Sequence, residues 1–384
     1  MDDGGEFGSF TFLLGPHRSG TSLTASALHA LGVSLGDDFI SANADNPNGF
    51  FEDEKVINLN DRLLRSAGAS WDSIAFLWAE SFDTPRYQPF YRAAERLLAD
   101  RFDAARACAL KDPRFCVLLP FWQKAVATRM ISTPGYIFTI RHPQQSVTSQ
   151  RLRYIADSDF HLLGRHSVQV LLLWLTYVLR ALRSVSAERL LIVDYDAMLN
   201  SPDAQLQRLA DFLRRPAGAD VLRQFSRQTL DRRLNRSGKV PDHVIQRHPG
   251  VWRLAEEVYQ ALKSLSSDDV SAERIEAILQ MIESAQLDAL YERELQRMYS
   301  YAYKKNLSLR HRLIRVIGEL QSEKDHLAQA QSANRDLHER QKVLDEDNAE
   351  LLRFREDIMA SRSYRFLMFI APPIAKLKSV LRSG

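Results

Sequence analysis

The residues best suited to chemistry lie in the loop Gly15–Ser22, which reads G-P-H-R-S-G-T-S between a short apolar run and a periodic apolar helix. A helix that begins directly after such a loop leaves its first backbone N–H groups unbonded, and its dipole is positive at the same end. Phosphate and similar anions bind at such termini. Arg18 is the one cation in the loop, and its guanidinium can hold an anion through two parallel hydrogen bonds.

The spacing of the loop almost matches the nucleotide-binding pattern G-x-x-x-x-G-K-[ST]. Gly15, Gly20 and Ser22 stand at their expected positions, but Thr21 replaces the lysine. The loop therefore predicts a phosphate cradle for a ligand other than a nucleoside triphosphate.

A second motif follows the apolar run that ends at Ile140. Arg141 closes this run, Pro143 can open a helix, and Ser149 follows Arg141 by eight residues. Arg141 and Ser149 could hold one phosphate from two sides. The alternative is an ordinary strand–helix junction with an arginine at the surface.

Short apolar runs alternate with longer helical patterns over the first 200 residues, which predicts a parallel α/β sheet with helices on its faces. The predicted strands are Thr11–Leu14, Ala107–Leu110, Tyr136–Ile140 and Leu190–Val193. The predicted helices are Ser22–Leu31, Val117–Thr128, Gln144–Arg153 and Ser167–Ser184. Ligands of such sheets bind at the carboxyl ends of the strands, so both motifs are expected to meet in one crevice.

The rest of the chain is helical in pattern from about residue 200 to 299, and we assign residues 8–300 to one catalytic domain. Residues 307–360 are predicted to form a long helix or coiled coil, with heptads over 313–358 that favour a homodimer. A solvated single helix, or a helix that lies on the domain, is the alternative. Residues 361–384 form a basic amphipathic tail that favours peripheral contact with a membrane, and a disordered or self-packed tail is the alternative.

Composition limits the class of protein. The net charge of +3 over 384 residues gives no indication of nucleic-acid binding. Cys108 and Cys116 are the only cysteines and form no C-x-x-C pair, so a structural metal and a disulfide framework are not expected. The acidic N-terminus lacks a signal-peptide pattern, so we expect a cytoplasmic protein, with the inner face of the membrane as a further location.

The two motifs together resemble the sulfotransferase family, whose members use 3′-phosphoadenosine 5′-phosphosulfate as donor. Three further segments are similar to its bacterial carbohydrate-type branch: N-P-N-G-F-F-E at 46–52, L-K-D-P-R at 110–114 and V-D-Y-D-A-M-L at 193–199. The resemblance spans about residues 8–215. It implies the sulfotransferase fold, a P-loop-like parallel sheet flanked by helices, followed here by the C-terminal helical or coiled-coil extension.

The resemblance also implies roles for particular residues. The first loop would hold the 5′-phosphosulfate and the second motif the 3′-phosphate. The implied donor-binding residues are His17, Arg18, Ser19, Gly20, Thr21, Ser22, Arg141, Ser149 and, in a late basic loop, Arg236. Many eukaryotic cytosolic members have lysine in place of Arg18, and this difference points away from phenol and steroid acceptors.

Transfer to a hydroxyl requires a stabiliser of the developing charge and a proton acceptor. Arg18 and Lys111 are the candidates for charge stabilisation. Glu52 is the first candidate for the base, with Glu54 and His17 as rivals, and a helix-capping or solvated glutamate is the alternative for Glu52. Glu52, Asp112 and Arg114 are candidates for acceptor binding, although pairing within K-D-P-R is an alternative for the last two. No metal is expected in this reaction.

We therefore expect a sulfotransferase that acts on a hydroxyl of a saccharide or lipid-linked glycan. A small-molecule P-loop kinase is one alternative, and it would need the missing lysine and a magnesium-binding carboxylate such as Asp194. A non-catalytic coiled-coil scaffold that retains a nucleotide pocket is the other.

Overall fold

The structure is a computed structural model of the chain. It describes residues 10–36, 39, 51–73, 82–101, 107–128, 134–156, 163–164, 166–228, 248–287, 289–290, 292–293, 296, 300, 307–314 and 330–360. The chain divides into two compact units, Met1–Leu287 and Asp288–Gly384.

The first unit is built on a four-stranded parallel sheet. Its strands are β1 (Phe10–Leu14), β2 (Cys108–Lys111), β3 (Gly135–Ile140) and β4 (Leu190–Asp194). Their order is β2-β1-β3-β4, and each neighbouring pair is parallel. Nearly every strand residue is buried, as expected where helices cover both faces of a parallel sheet. The four strands confirm the sequence prediction to within one residue at each end.

Helices connect and cover these strands. Those of the first unit are α1 (Thr21–Ala30), α2 (Glu54–Ser66), α3 (Gln88–Arg101), α4 (Phe115–Ala127), α5 (Pro143–Ala156), α6 (Ser167–Leu182), α7 (Tyr195–Asn200), α8 (Pro202–Phe212), α9 (Ala219–Gln228), α10 (Pro249–Leu265) and α11 (Ala272–Ser284). The predicted helices correspond to α1, α4, α5 and α6. The parallel α/β sheet flanked by helices is thus the fold that the sequence predicts. Helices α2 and α3 were not predicted.

The core explains why the sheet holds its strand ends in place. Helix α6 is buried along almost its whole length, as its apolar sequence predicts. Helix α4 packs against α6, and Phe12, Phe115 and Trp122 form a chain of edge-to-face ring contacts between β1 and α4. Such contacts stabilise the fold beyond the area that they bury. The strand ends, and the loops that follow them, are therefore attached to a closely packed scaffold.

The second unit is described mainly by the helix α12 (Ala330–Ala360). Part of the heptad region 313–358 falls within it, and homodimerisation through this region stays a prediction. The basic tail 361–384 lies outside the described residues, so membrane contact also stays a prediction. Among the described helices, none combines the length and apolar character needed to cross a membrane.

Candidate active site

The order of the strands brings four sequence segments to one edge of the sheet. β2 ends at Lys111, β1 runs into the Gly15–Ser22 loop, β3 is followed by Arg141, and β4 is followed by Tyr195. Because β1 lies between β2 and β3, the loop has Lys111 on one side and Arg141 on the other. This edge is the usual position of ligands in parallel α/β sheets.

Two glycines allow the loop to fold tightly against the sheet. Gly15 has φ +152°, and a Cβ there would lie 2.6 Å from the carbonyl oxygen of Thr139. Gly20 has φ +97°, and a Cβ there would lie 2.3 Å from the ring of Tyr195. A side chain at either position would therefore both clash and strain the backbone. The Gly15 N–H donates to Cys116 Sγ at 3.2 Å, which fixes the start of the loop to α4.

Arg18 joins the two motifs. Its backbone has φ +66°, an uncommon conformation for a residue with a side chain, and strain of this kind often accompanies function. The Arg18 Nε donates to Ser149 Oγ at 2.8 Å, and Arg141 Nη1 donates to the Arg18 carbonyl oxygen at 3.3 Å. The loop after β1 and the motif after β3 therefore form one continuous cationic site.

Arg141 is held on several sides although it is almost completely buried, with 6% of its surface exposed. Its Nε donates to Gln145 Oε1 at 2.8 Å, and Gln145 Nε2 donates to Asp196 Oδ2 at 3.0 Å. The guanidinium carbon lies 4.1 Å from the ring centre of Tyr195. Burial lowers the pKa of Arg141, and Tyr195 and Asp196 oppose that effect. The side chain is oriented before any ligand binds.

Lys111 and Glu52 form a buried ion pair on the other side of the loop. The Lys111 Nζ also donates to Ser22 Oγ at 3.4 Å, so this pair touches the first turn of α1. Asp53, the residue directly after Glu52, caps α2 by accepting from the backbone N–H of Lys55 at 2.9 Å. This contact fixes the chain beside Glu52. Glu54, a rival base, is exposed on α2.

Asp112 and Arg114 are paired with each other, as the alternative for this segment predicted. Asp112 is fully buried and accepts from Arg114 Nη1 at 3.0 Å and from Asn60 Nδ2 at 2.8 Å. The Arg114 Nε lies 2.8 Å from Asp61 Oδ1. Burial alone would lower the pKa of Arg114, but Asp112 and Asp61, with smaller contributions from Tyr177 and Glu52, together raise that pKa. A direct role of either residue in acceptor binding stays a prediction.

A family model described as "Sulfotransferase family" matches residues 11–218, which is more than half of the chain and includes both motifs. The chain belongs to the sulfotransferase family. The bacterial carbohydrate-type branch is not distinguished by this match.

Two solved sulfotransferase domains are similar to this chain at low identity. The domain of the Synechococcus PCC 7002 olefin synthase is 16% identical, with 72% of this chain and 93% of that chain covered and a TM-score of 0.33. The domain from the curacin biosynthetic pathway is also 16% identical, with 68% of this chain and 98% of that chain covered and a TM-score of 0.35. No curated protein sequence matches this sulfotransferase.

His17 lies in the loop as a neutral imidazole. Tyr177 donates its hydroxyl hydrogen to the Trp71 carbonyl oxygen at 2.6 Å, so it can only accept from His17 Nε2, which lies 3.2 Å away. Burial lowers the pKa of His17 well below 6.5, and four cations, Arg114 the strongest among them, lower it further. The sulfotransferase therefore keeps an uncharged histidine within its cationic loop.

This lowered pKa predicts a specific pH dependence of stability. The unfolded chain binds a proton at His17 below about pH 6.5, whereas the folded chain does not until a much lower pH. The contribution of His17 is therefore complete above pH 6.5 and is lost as the pH falls, by at most about 1.4 kcal/mol per pH unit. We expect His17→Gln to reduce the loss of stability between pH 6.5 and 5, measured by urea unfolding. Equal pH slopes in both proteins would contradict this assignment.

The remaining residues that the sequence predicts to bind the sulfuryl donor differ in their burial. Ser19 is fully buried and Thr21 nearly so, whereas Ser22 and Ser149 are half-buried. All four belong to the loop, to the first turn of α1 or to α5. Arg236 lies outside the described residues, and its role stays a prediction.

Sequence reasoning missed several residues that shape this site. Cys116 and Tyr177 come from α4 and α6, where they read as ordinary apolar positions. Tyr195 and Gln145 lay inside recognised motifs, but their contacts with Arg141 depend on the neighbouring strand. A fixed spacing from a strand end was the available signal for Tyr195, because it directly follows β4.

Proposed function

We propose that this sulfotransferase uses 3′-phosphoadenosine 5′-phosphosulfate and transfers its sulfuryl group to a hydroxyl of a saccharide or lipid-linked glycan. The observation that carries the donor assignment is the direct joining of two anion-binding motifs through Arg18, Ser149 and Arg141. A donor with two separate phosphate-type groups would occupy both motifs at once. We expect the protein to act in the cytoplasm.

The described residues fit such a donor. The Ser19 hydroxyl oxygen is buried in the loop without a hydrogen-bond partner among the described residues, so an anion would satisfy it. The loop ends at Gly20, from which α1 presents the backbone N–H groups of its first turn. Arg18 and Arg141 add fixed positive charge. In this proposal Arg18, Ser19 and Thr21 hold the phosphosulfate, and Arg141 and Ser149 hold the 3′-phosphate.

The bound donor supplies an activated sulfuryl group, and its transfer leaves negative charge on the departing phosphate. The Arg18 guanidinium and the backbone N–H groups at the N-terminus of α1 stabilise that charge as it develops, because they are already oriented before the reaction. Lys111 contributes a further ammonium beside Ser22. Glu52 accepts the proton of the acceptor hydroxyl while the new oxygen–sulfur bond forms and the bridging sulfur–oxygen bond breaks.

The saccharide acceptor rests on the motif segments at 46–52, 110–114 and 193–199, which are similar to carbohydrate-type members. A fold does not determine a substrate, so this part of the proposal depends on those segments and on the C-terminal region, where a helical stretch followed by S-R-S-Y-R at 361–365 resembles cell-surface saccharide enzymes. Acidic and neutral saccharides are both compatible with it.

The kinase alternative has less support in the structure. Thr21 stands where a kinase loop needs lysine. Asp194, the candidate magnesium ligand, uses Oδ1 to accept from the Ala197 N–H and Oδ2 to accept from the Tyr259 hydroxyl. This carboxylate caps α7 and fixes it to α10. The scaffold alternative requires only a retained pocket, so a transfer assay tests it and ligand binding alone does not.

The donor assignment is tested by ligand-induced stabilisation. We expect adenosine 3′,5′-bisphosphate to raise the melting temperature of the full chain more than ATP or 5′-AMP at equal concentration. A ligand at a hundredfold excess over its dissociation constant stabilises by about 2.7 kcal/mol. Arg141→Ala should remove most of the preference for the bisphosphate over 5′-AMP.

Arg151→Ala is the matched control, because Arg151 is an exposed arginine of the same helix, α5. It should respond like the wild type. Stabilisation by ATP alone would support the kinase. Binding of the bisphosphate without transfer to any saccharide in a labelled-sulfate assay would support the scaffold.

A further inference from the structure

The ring of Tyr195 lies between the two anion-binding motifs. One ring edge packs so closely on Gly20 that no Cβ fits there, and the Arg141 guanidinium carbon lies 4.1 Å from the ring centre. The same side chain thus touches the end of the first loop and the arginine of the second motif. Tyr195 itself is almost completely buried, with 7% of its surface exposed.

The backbone of Tyr195 is fixed as firmly as its ring. Tyr195 is the first residue of α7, directly after Asp194, which closes β4. Asp194 accepts from the Ala197 N–H at 2.8 Å and from the Tyr259 hydroxyl at 2.9 Å, so both α7 and α10 constrain this junction. The backbone of Tyr195 therefore cannot move away from Arg141 without disturbing a buried network.

The buried guanidinium of Arg141 needs a rigid surface that orients it, and the Tyr195 ring provides one. Arginine has several rotatable bonds, and ordering them only when a ligand arrives would weaken binding. An aromatic face attracts a cation that is shielded from water and also fixes the plane of the guanidinium. Gln145, which is itself held by Asp196, fixes the plane of the same guanidinium by accepting from the Arg141 Nε. The first two residues of α7 thus orient Arg141 together.

We propose that Tyr195 is a positioning residue, which orients Arg141 and so gives the site its selectivity for a ligand with a second phosphate. This inference rests on the proposed donor site, because it assigns the 3′-phosphate to Arg141. Tyr195 acts through the arginine and makes no contact with that phosphate in this proposal.

The test compares two ligands that differ only in the 3′-phosphate. The dissociation constants of adenosine 3′,5′-bisphosphate and 5′-AMP are measured by calorimetry with the full chain. We expect Tyr195→Leu to weaken binding of the bisphosphate about tenfold and to change binding of 5′-AMP less than twofold. Tyr195→Phe keeps the aromatic face and should keep the wild-type ratio.

Two aromatic replacements at position 195 that differ only in ring charge keep the test valid if Tyr195→Leu does not fold. Replacement of Tyr195 by pentafluorophenylalanine keeps the shape of the Tyr195→Phe ring but reverses the charge distribution over its face. We expect this replacement to lower the selectivity, whereas Tyr195→Phe does not. Adding Arg141→Ala to Tyr195→Leu should cause no greater loss of selectivity than Arg141→Ala alone.

Each contrary result has a distinct meaning. Equal weakening of both ligands in Tyr195→Leu would show direct contact with the nucleoside or a purely structural role, and would overturn the proposal. Unchanged selectivity in a folded Tyr195→Leu would also overturn it while leaving the donor assignment intact. A wild-type protein with no preference for the bisphosphate would overturn the donor assignment, and this inference with it.

Discussion

Replacing Arg18 with asparagine is expected to lower the rate of sulfuryl transfer by about 10²–10³-fold, the usual loss when one preorganised stabiliser of developing charge is removed. Arg18 supplies the guanidinium of the loop, and its Nε donates a hydrogen bond to Ser149 Oγ on the opposite side of the site. Because Arg18 also holds the phosphosulfate in this proposal, the rates are compared at saturating donor, where the loss reports the chemical step. It is measured as single-turnover transfer of labelled sulfate from 3′-phosphoadenosine 5′-phosphosulfate to a saccharide mixture.

Asparagine is the informative replacement because it tolerates the positive φ of this position better than alanine does. A fall in rate then reports the lost charge and not a rearranged loop, and an unchanged melting temperature checks this. Arg18→Lys keeps the charge but not the paired geometry, so it should retain more activity than Arg18→Asn. Equal activity of wild type and Arg18→Asn would rule out Arg18 as a catalytic residue.

The parts of this architecture that the sequence predicts well are those governed by local pattern. Short apolar runs bounded by turns marked all four strands, because a strand buried on both faces needs no polar alternation. The loop at Gly15–Ser22 was recognisable because two glycines at a fixed spacing satisfy a backbone requirement. Arg141 was recognisable because it closes an apolar run and precedes a proline that opens a helix.

The contacts that assemble the site depend on strand order, and no local pattern specifies that order. The pair of Lys111 with Glu52 joins residues 59 positions apart. The contact of Tyr195 with Arg141 requires β4 to lie beside β3. The arrangement at Arg114 also depends on a non-local contact, since its Asp112 partner is held by Asn60 from α2, a helix that was not predicted.

The second large effect concerns Glu52. Glu52→Gln is expected to lower the transfer rate by about 10²–10⁴-fold, the range that general base catalysis contributes. Binding of adenosine 3′,5′-bisphosphate should change less than threefold, because Glu52 takes no part in holding the donor in this proposal. The measurement is again single-turnover transfer, combined with calorimetry of the bisphosphate.

Glutamine is chosen because Lys111 is buried, with 2% of its side chain exposed, and alanine would remove the hydrogen-bond acceptor of its ammonium as well as the negative charge. The amide oxygen of glutamine still accepts from Lys111 Nζ, so the fold should survive. Glu54→Gln is the matched control, since Glu54 is an exposed neighbour at the start of α2, and it should keep wild-type activity. A large loss in Glu54→Gln or His17→Gln, with Glu52→Gln still active, would transfer the role of base to that residue. A loss in Glu52→Gln alone would leave the buried pair of Glu52 and Lys111 as the point where the acceptor hydroxyl loses its proton.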